Sequence, residues 1–265
     1  MSVGADSFRV SADAYDRFMG RYSRGLASAL IDFAGVNTGA RALDVGCGPG
    51  ALTAALAERL GASRVVGADP SAPFVEACRA RMPGVEVALA SAEALPFDDD
   101  SFDVTLSQLA VNFMTDPIAG VVEMGRVTRS GGLVGACVWD YGGEMTLLRA
   151  FWQAARDVDP QRAGAADEAR GKRWGSEAQL RKLWDGAGLR DVRCGSLAVT
   201  AQYADFDDLW SPLEAGVGPA GAFCKSLDHT GRAALREALH ARLGVADGPF
   251  QLPALAWAVA GIVRP

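Results

Sequence analysis

The stretch Arg41–Gly50, RALDVGCGPG, decides how the rest of the chain is read. A short apolar run closes on three alternating glycines, Gly46, Gly48 and Gly50. ALTAALAERLG follows, with Leu52, Leu56 and Leu60 on one helical face and Gly61 as its cap. A glycine turn between a strand and a helix lets the backbone approach a ligand closely, because no Cβ intervenes. The next apolar run, RVVGAD, ends on Asp69, nineteen residues past Gly50. A carboxylate at that strand end can accept both hydroxyls of a ribose, as in dinucleotide sites. Asp44, two residues before the first glycine, separates two ligand classes. A pyrophosphate at the following helix N-terminus would meet an unfavourable carboxylate, whereas a cationic ligand with a free amino group would gain from one. The other role open to Asp44 is to tether the loop. Pro49 also departs from the usual dinucleotide loop.

Outward from this unit, strands and helices alternate. VEVALA, SFDVTLSQL and LVGACVW read as strands three to five, and SAPFVEACRARMPG as a helix. PIAGVVEMGRVTRSGG reads as a helix ending on the pair Gly131-Gly132. SADAYDRFMGRYSRGLASALIDFAGV, ahead of the first strand, predicts one or two helices, with Tyr15, Phe18, Met19 and Tyr22 at spacings of three and four. After Trp139 come an amphipathic helix (GEMTLLRAFWQAARDV), a polar, Gly-rich run over 159–172 that reads as mobile, and a helix capped by Ser176. LRDVRCGSLAV and FQLPALAWAVAGIVR complete seven strands, separated by an irregular, partly helical excursion and the helix TGRAALREALHARLG. Strands apolar on both faces predict an α/β fold with a mostly parallel seven-stranded Rossmann-like sheet and helices on each side. The expected organisation is one domain over 1–265. It has an N-terminal helical lid at 10–34, a cofactor-binding core at 35–140, and cap segments at 141–175 and 203–228 that act as a lid or as a fixed annex.

At 265 residues the chain can bury a substantial core, and its net charge of -6 argues against a non-specific nucleic-acid binder. Lys occurs only at 172, 182 and 225. Cys47, Cys78, Cys137, Cys194 and Cys224 are scattered without a Cys-x-x-Cys spacing, as expected of reduced thiols in a cytoplasmic protein. With only His229 and His240 present, no histidine-rich metal site is expected. No stretch reads as a signal peptide or as a membrane span.

LDVGCGPG, VVGADPS, ASAEALPFDDDSFDVTLSQLAVNFMTDP and VVEMGRVTRSGG, in that order, resemble the class I S-adenosylmethionine-dependent methyltransferases. The nearest subgroup is the ubiquinone/menaquinone-biosynthesis-like small-molecule enzymes, and the likeness is strong over residues 10–140 and weak beyond. The resemblance implies S-adenosylmethionine as cofactor and S-adenosylhomocysteine as product. It implies that Asp44, Gly46, Cys47, Gly48 and Gly50 hold the methionine end, and that Asp69 binds the ribose with Pro70 and Ser71 beside the adenine. Ser91, Ala92 and Glu93 would flank the adenine, and Ser107 and Gln108 would face the sulfonium. Ala92, Leu95 and Phe97 offer an apolar wall for a purine independently of the family. Members of the subgroup often carry His or Trp soon after the fourth strand, where this chain reads LAVNF, so no base is assigned there.

In a parallel sheet the ligand lies beyond the C-terminal strand ends. Candidate acceptor-binding residues are therefore Tyr15, Phe18, Met19, Tyr22, Asn112, Phe113, Trp139, Trp152 and Trp210. These aromatics either fill the core of a lid or line a pocket for a flat, apolar acceptor. Methyl transfer from a sulfonium is an in-line displacement in which placement and desolvation carry much of the rate. Tyr15, Asp16 and Asp140 are acid–base candidates, and none is assigned as catalytic. The expected activity is methyl transfer to a small, apolar or aromatic acceptor, by a monomer or homodimer with no nucleic-acid partner. A nucleotide-dependent oxidoreductase and a non-catalytic cofactor-binding protein are the alternatives.

Overall fold

The computed structural model describes residues 15–170 and 174–265. The expected lid residues 10–14 and positions 171–173 of the polar run lie outside the described residues.

Strand β1 (Ala42–Val45) is buried at all four residues. It runs parallel between β2 (Val65–Asp69) and β4 (Phe102–Gln108), and β3 (Glu86–Leu89) continues parallel beyond β2. On the other side come β5 (Thr128–Trp139), parallel to β4, then β7 (Phe250–Ile262) and β6 (Arg190–Tyr203). The order is β3-β2-β1-β4-β5-β7-β6, and β7 is antiparallel to both neighbours. The chain reverses its direction of winding between β1 and β4, and that switch opens a crevice beyond their C-terminal ends.

Helices cover both faces. Against one face a core forms that includes Leu26, Leu56, Leu106 and Trp152, and against the other a core with Leu43, Val66, Met124 and Trp184. A π-turn (Asp16–Gly20) leads into α1 (Arg21–Ala34). The crossover helices of the cofactor half are α2 (Ala51–Leu60), α3 (Ala72–Arg81) and α4 (Pro117–Val127). Asp116 caps α4 by accepting from the N–H groups of Ile118 and Ala119, and Pro117 supplies a preset first turn. No helix among the described residues is long and apolar enough to cross a membrane.

Three segments differ from expectation. The helix at 117 stops at Val127, and β5 begins at once. The pair Gly131-Gly132 marks a register shift in that strand, because a Cβ at Gly132 would stand 2.8 Å from the Asp103 carbonyl oxygen. The described part of the polar run after α5 (Thr146–Val158), through Arg170, is folded: Asp159 caps α6 (Pro160–Ala166), and a 3₁₀ turn (Glu168–Arg170) follows. Beyond α7 (Glu177–Gly186), whose cap is Ser176 as expected, the irregular excursion resolves into α8 (Phe206–Glu214) and α9 (Gly218–Ser226). α9 packs on α5 and α6, the π-turn packs on α8, and α10 (His229–Leu243) lies along α5.

Candidate active site

At the C-terminal ends of β1, β2 and β4 lies a cavity of about 190 Å³. The glycine loop forms its floor. Gly46 has a φ of +73°, and a Cβ there would stand 2.3 Å from the Ala110 Cβ, so that glycine serves packing. Gly48 (φ +53°) lines the cavity as Gly46 does, but a Cβ there would meet nothing within 4 Å. Its backbone is bare toward the space a ligand would fill.

Asp69 ends β2 at the cavity wall. One carboxylate oxygen accepts from the Gly48 N–H (2.8 Å) and the other from the Ser71 N–H (2.8 Å). Burial raises its pKa, and those two backbone bonds pull it back only in part. The wall continues through Pro70, Ser71, Ser91, Ala92 and Glu93, with Pro49, Phe74, Ala110, Met114 and Thr115 added by the structure. Glu93 also braces the loop after β4, accepting from the N–H groups of Thr115 (2.7 Å) and Asp116 (3.1 Å). Leu95 and Phe97 lie outside this lining, and Phe97 packs edge-on to Phe102 at 5.2 Å. Tyr15 closes the cavity from the N-terminal side, its ring 5.8 Å from that of Phe74.

Four of the expected cofactor residues, Asp44, Cys47, Gly50 and Ser107, do not line this cavity. Asp44 sits beneath the loop, fully buried. Thr53 donates to one of its oxygens at 2.6 Å, and the other has no partner among the described residues. Burial pushes its carboxyl up to about 7, against the pull of the Thr53 bond and with a contribution from the Asp69 charge. Gln108, two residues beyond the strand partner of Asp44, shares its face of the sheet and does line the cavity. Its amide donates to the Ser23 carbonyl (3.0 Å), which leaves its carbonyl oxygen buried and without a partner among the described residues. Two acceptors without donors therefore stand on one face beside the glycine loop, and such groups are costly unless something donates to them. Among the described residues, Asp69 and Glu93 are the only charged ones in the lining. A site of that polarity suits a cation with N–H donors and disfavours a pyrophosphate.

Tyr15, Leu109 and Phe113 also line a second, smaller cavity, with Phe18, Met19 and Trp139. Tyr141, Leu148, Glu168 and the Val217–Pro219 turn complete it, and all of these fall within the expected cap segments 141–175 and 203–228. Leu109 holds a φ of +63°, a strained conformation for a branched residue, at the wall between the two spaces. Burial pushes the Tyr15 hydroxyl up to about 12.

Tyr22, Asn112, Trp152 and Trp210 line neither cavity. Tyr22 is fully buried, edge-on to Trp139, with its hydroxyl 3.4 Å from that of Tyr203. Asn112 pairs with the backbone of Trp174, accepting at 3.2 Å and donating at 3.4 Å. Trp152 is fully buried against Phe151 and Phe223, and Trp210 stacks on Phe206. These rings are core. Among the acid–base candidates, Asp16 pairs with Arg81 at 2.7 Å, and Asp140 caps its own turn through the Gly142 and Glu144 N–H groups. His240 packs edge-on to Phe206 at 4.6 Å. Among the described residues, no group of three or more His, Cys, Asp or Glu is placed to hold a metal ion.

Residues 43–135 match a family described as a methyltransferase domain. An uncharacterized protein of Mycobacterium tuberculosis is 33% identical over 175 residues, which is 63% of this chain and 61% of that protein. Malonyl-acyl-carrier-protein O-methyltransferase of Salmonella typhimurium is 34% identical over 163 residues, 60% of this chain and 64% of that one. The structure of Haemonchus contortus phosphoethanolamine N-methyltransferase 2, in complex with phosphomonomethylethanolamine and S-adenosylhomocysteine, superimposes with a TM-score of 0.59 at 18% identity. That alignment covers 96% of this chain and 57% of the other. The matches span 61% and 64% of the length of these two curated relatives, less than two thirds of either.

Proposed function

We infer that this chain, which carries a methyltransferase domain on the class I Rossmann-like fold, transfers a methyl group from S-adenosylmethionine to a small acceptor with an apolar or aromatic body. One observation carries the reading: an acid-lined cavity on the glycine loop and an aromatic cavity meet at a common wall of Tyr15, Leu109 and Phe113.

The residues present fit the cofactor. Gly48 leaves its backbone open to a ligand, Asp69 offers lone pairs to a ribose diol, and the unpartnered oxygens of Asp44 and Gln108 suit an ammonium group. Ala92 and Phe74 give apolar surface of the kind a purine needs. S-adenosylmethionine supplies a methyl group already activated by a positive sulfur. The protein's own task is then to bind, align and dry the reactants for in-line displacement. Leu109, Phe113 and Tyr15, common to both linings, set mostly apolar surface where the two cavities meet, the kind of surface that favours a desolvated reacting centre. The Tyr15 hydroxyl, with its pKa near 12, is a poor base at neutral pH, so the rate rests on placement.

The test is transfer of radiolabelled methyl from the cofactor to a panel of aromatic and aliphatic acceptors, alongside calorimetry with S-adenosylhomocysteine and with nicotinamide dinucleotides. Labelled product and tight S-adenosylhomocysteine binding are expected. Preference for a dinucleotide would support the oxidoreductase alternative, and cofactor binding without turnover of any acceptor would reduce the chain to a binding protein.

A further inference from the structure

Among the described residues, three non-glycines hold a positive φ: Asp100, Leu109 and Asp191. A short polar side chain lets Asp adopt that region, whereas Leu has no such compensation. A branched residue persists there only where its surroundings over-determine it. At Leu109 they do so on both sides. Its N–H still donates to the Cys137 carbonyl at 2.9 Å, so β4 and β5 stay paired up to that point. The chain then turns, and Ala110 comes to rest against the glycine loop, where it leaves no room for a Cβ at Gly46. The left-handed backbone thus seats the loop after β4. Glycine would make the same turn without strain, so the turn does not account for the isobutyl group.

That group has a setting of its own. Leu109 is buried in the same apolar cluster as Phe18, Met19, Trp139 and Leu148, four residues that line the second cavity. This cavity measures about 50 Å³, against about 190 Å³ for the first. The four are buried themselves, so packed protein stands behind them. Leu109 belongs instead to the wall that has a cavity on either side. Protein interiors are close-packed, and a single methylene in an apolar pocket discriminates between ligands by roughly 10–200-fold. We propose that Leu109 is the specificity-determining residue of the acceptor site, its isobutyl group limiting the size of the group that can reach the cofactor. This rests on the second cavity being the acceptor site of the methyl-transfer reading.

The experiment is calorimetry on the protein saturated with S-adenosylhomocysteine, titrated with phenol and with 2-naphthol, which differ by a fused ring and are uncharged at neutral pH. The wild type is expected to bind phenol at least tenfold tighter than 2-naphthol. Leu109→Ala should shift the ratio of the two affinities at least tenfold toward 2-naphthol, whereas a merely structural role would lower stability and leave that ratio unchanged. Leu109→Gly should shift it likewise, and should unfold at a higher denaturant concentration than Leu109→Ala, because glycine adopts this φ without strain. The glycine variant also carries the test if the alanine variant does not fold. Equal binding of the two probes by the wild type, no binding of either, or a ratio that shifts less than tenfold in a folded variant would overturn the proposal. So would a glycine variant less stable than the alanine variant, or failure of both to fold. Failure of S-adenosylhomocysteine to bind the wild type would instead count against the methyl-transfer reading, and the same titrations on the ligand-free protein would still decide the role of Leu109.

Discussion

Replacing Asp44 with Asn should make the protein more stable at pH 8 and a worse binder of its cofactor. The folded carboxyl is pushed up to about 7 by burial, while in an unfolded chain it titrates near 3.8. Between those values the folded state holds a proton that the unfolded state has released. The associated stability is fully present below about pH 4 and is lost as the pH rises through about 7. The gap of about three pKa units amounts to about 4 kcal/mol lost by pH 8. Asn keeps an oxygen for the Thr53 hydroxyl, which now stands 2.6 Å from the carboxylate. It places an N–H₂ where the second oxygen has no partner, at a cost of about 1–3 kcal/mol. The net gain is about 1–3 kcal/mol, at roughly 2–4 °C in Tm for each kcal/mol. The same change removes a charge-assisted bond to the ammonium group, worth about 1.5–3 kcal/mol, or roughly a tenfold to hundredfold loss in affinity. Denaturant titrations at pH 5 and pH 8, with calorimetry of S-adenosylhomocysteine, measure both effects. An Asp44→Asn protein that is less stable than the wild type at pH 8, or that binds the cofactor product equally well, would refute the reasoning.

Asp69→Asn should weaken S-adenosylhomocysteine more than tenfold in calorimetry, because one of the two backbone N–H groups now 2.8 Å from the carboxylate would face another donor. Gly48→Ala should leave circular dichroism unchanged and lower cofactor affinity about tenfold, since its added carbon enters open cavity at a positive φ worth about 1–2 kcal/mol of strain. Gly46→Ala should cost the fold itself, because Ala110 stands 2.3 Å from the new carbon; a folded, non-binding variant would move Gly46 from packing to ligand contact. Trp152→Ala should destabilise by about 3–5 kcal/mol in denaturant while cofactor affinity of the folded fraction stays within twofold. Normal stability with a raised acceptor KM would return that ring to the acceptor site.

Much of the cofactor half was legible because its signals are local. A strand, a glycine turn, a helix and a strand ending on Asp69 specify a crossover unit, and nine of the expected cofactor residues line one cavity. The remainder depended on partners distant in sequence. Residues 159–172 read as mobile because few of them are apolar, yet Asp167 finds Arg149 and Arg156 on the preceding helix, and that ion cluster ties the described part of the run to α5. Aromatic content after Trp139 marked rings that need burial, but not whether their cover is ligand or protein; for Trp152 and Trp210 it is protein. Gly131-Gly132 resembled a helix stop, whereas Gly131 takes a positive φ and the close carbonyls of Arg129 and Asp103 leave no room for a side chain at Gly132. Nothing in the identity of Leu109 signals a positive φ.

The placement of β7 has a consequence for the order of events during synthesis. It pairs with β5 through Leu133–Trp139 and with β6 through Arg190–Tyr203, although both are made before it. Until residues 250–262 leave the ribosome, β5 presents an open edge and β6 has no neighbour in the sheet. The cofactor half, whose strand pairs are all complete by Trp139, can assemble earlier. Late, long-range closure of this kind slows folding and leaves strand edges open to other chains. A nascent chain stalled near residue 249 would therefore expose the apolar rows of β5 and β6 to chaperones while its glycine loop was already formed.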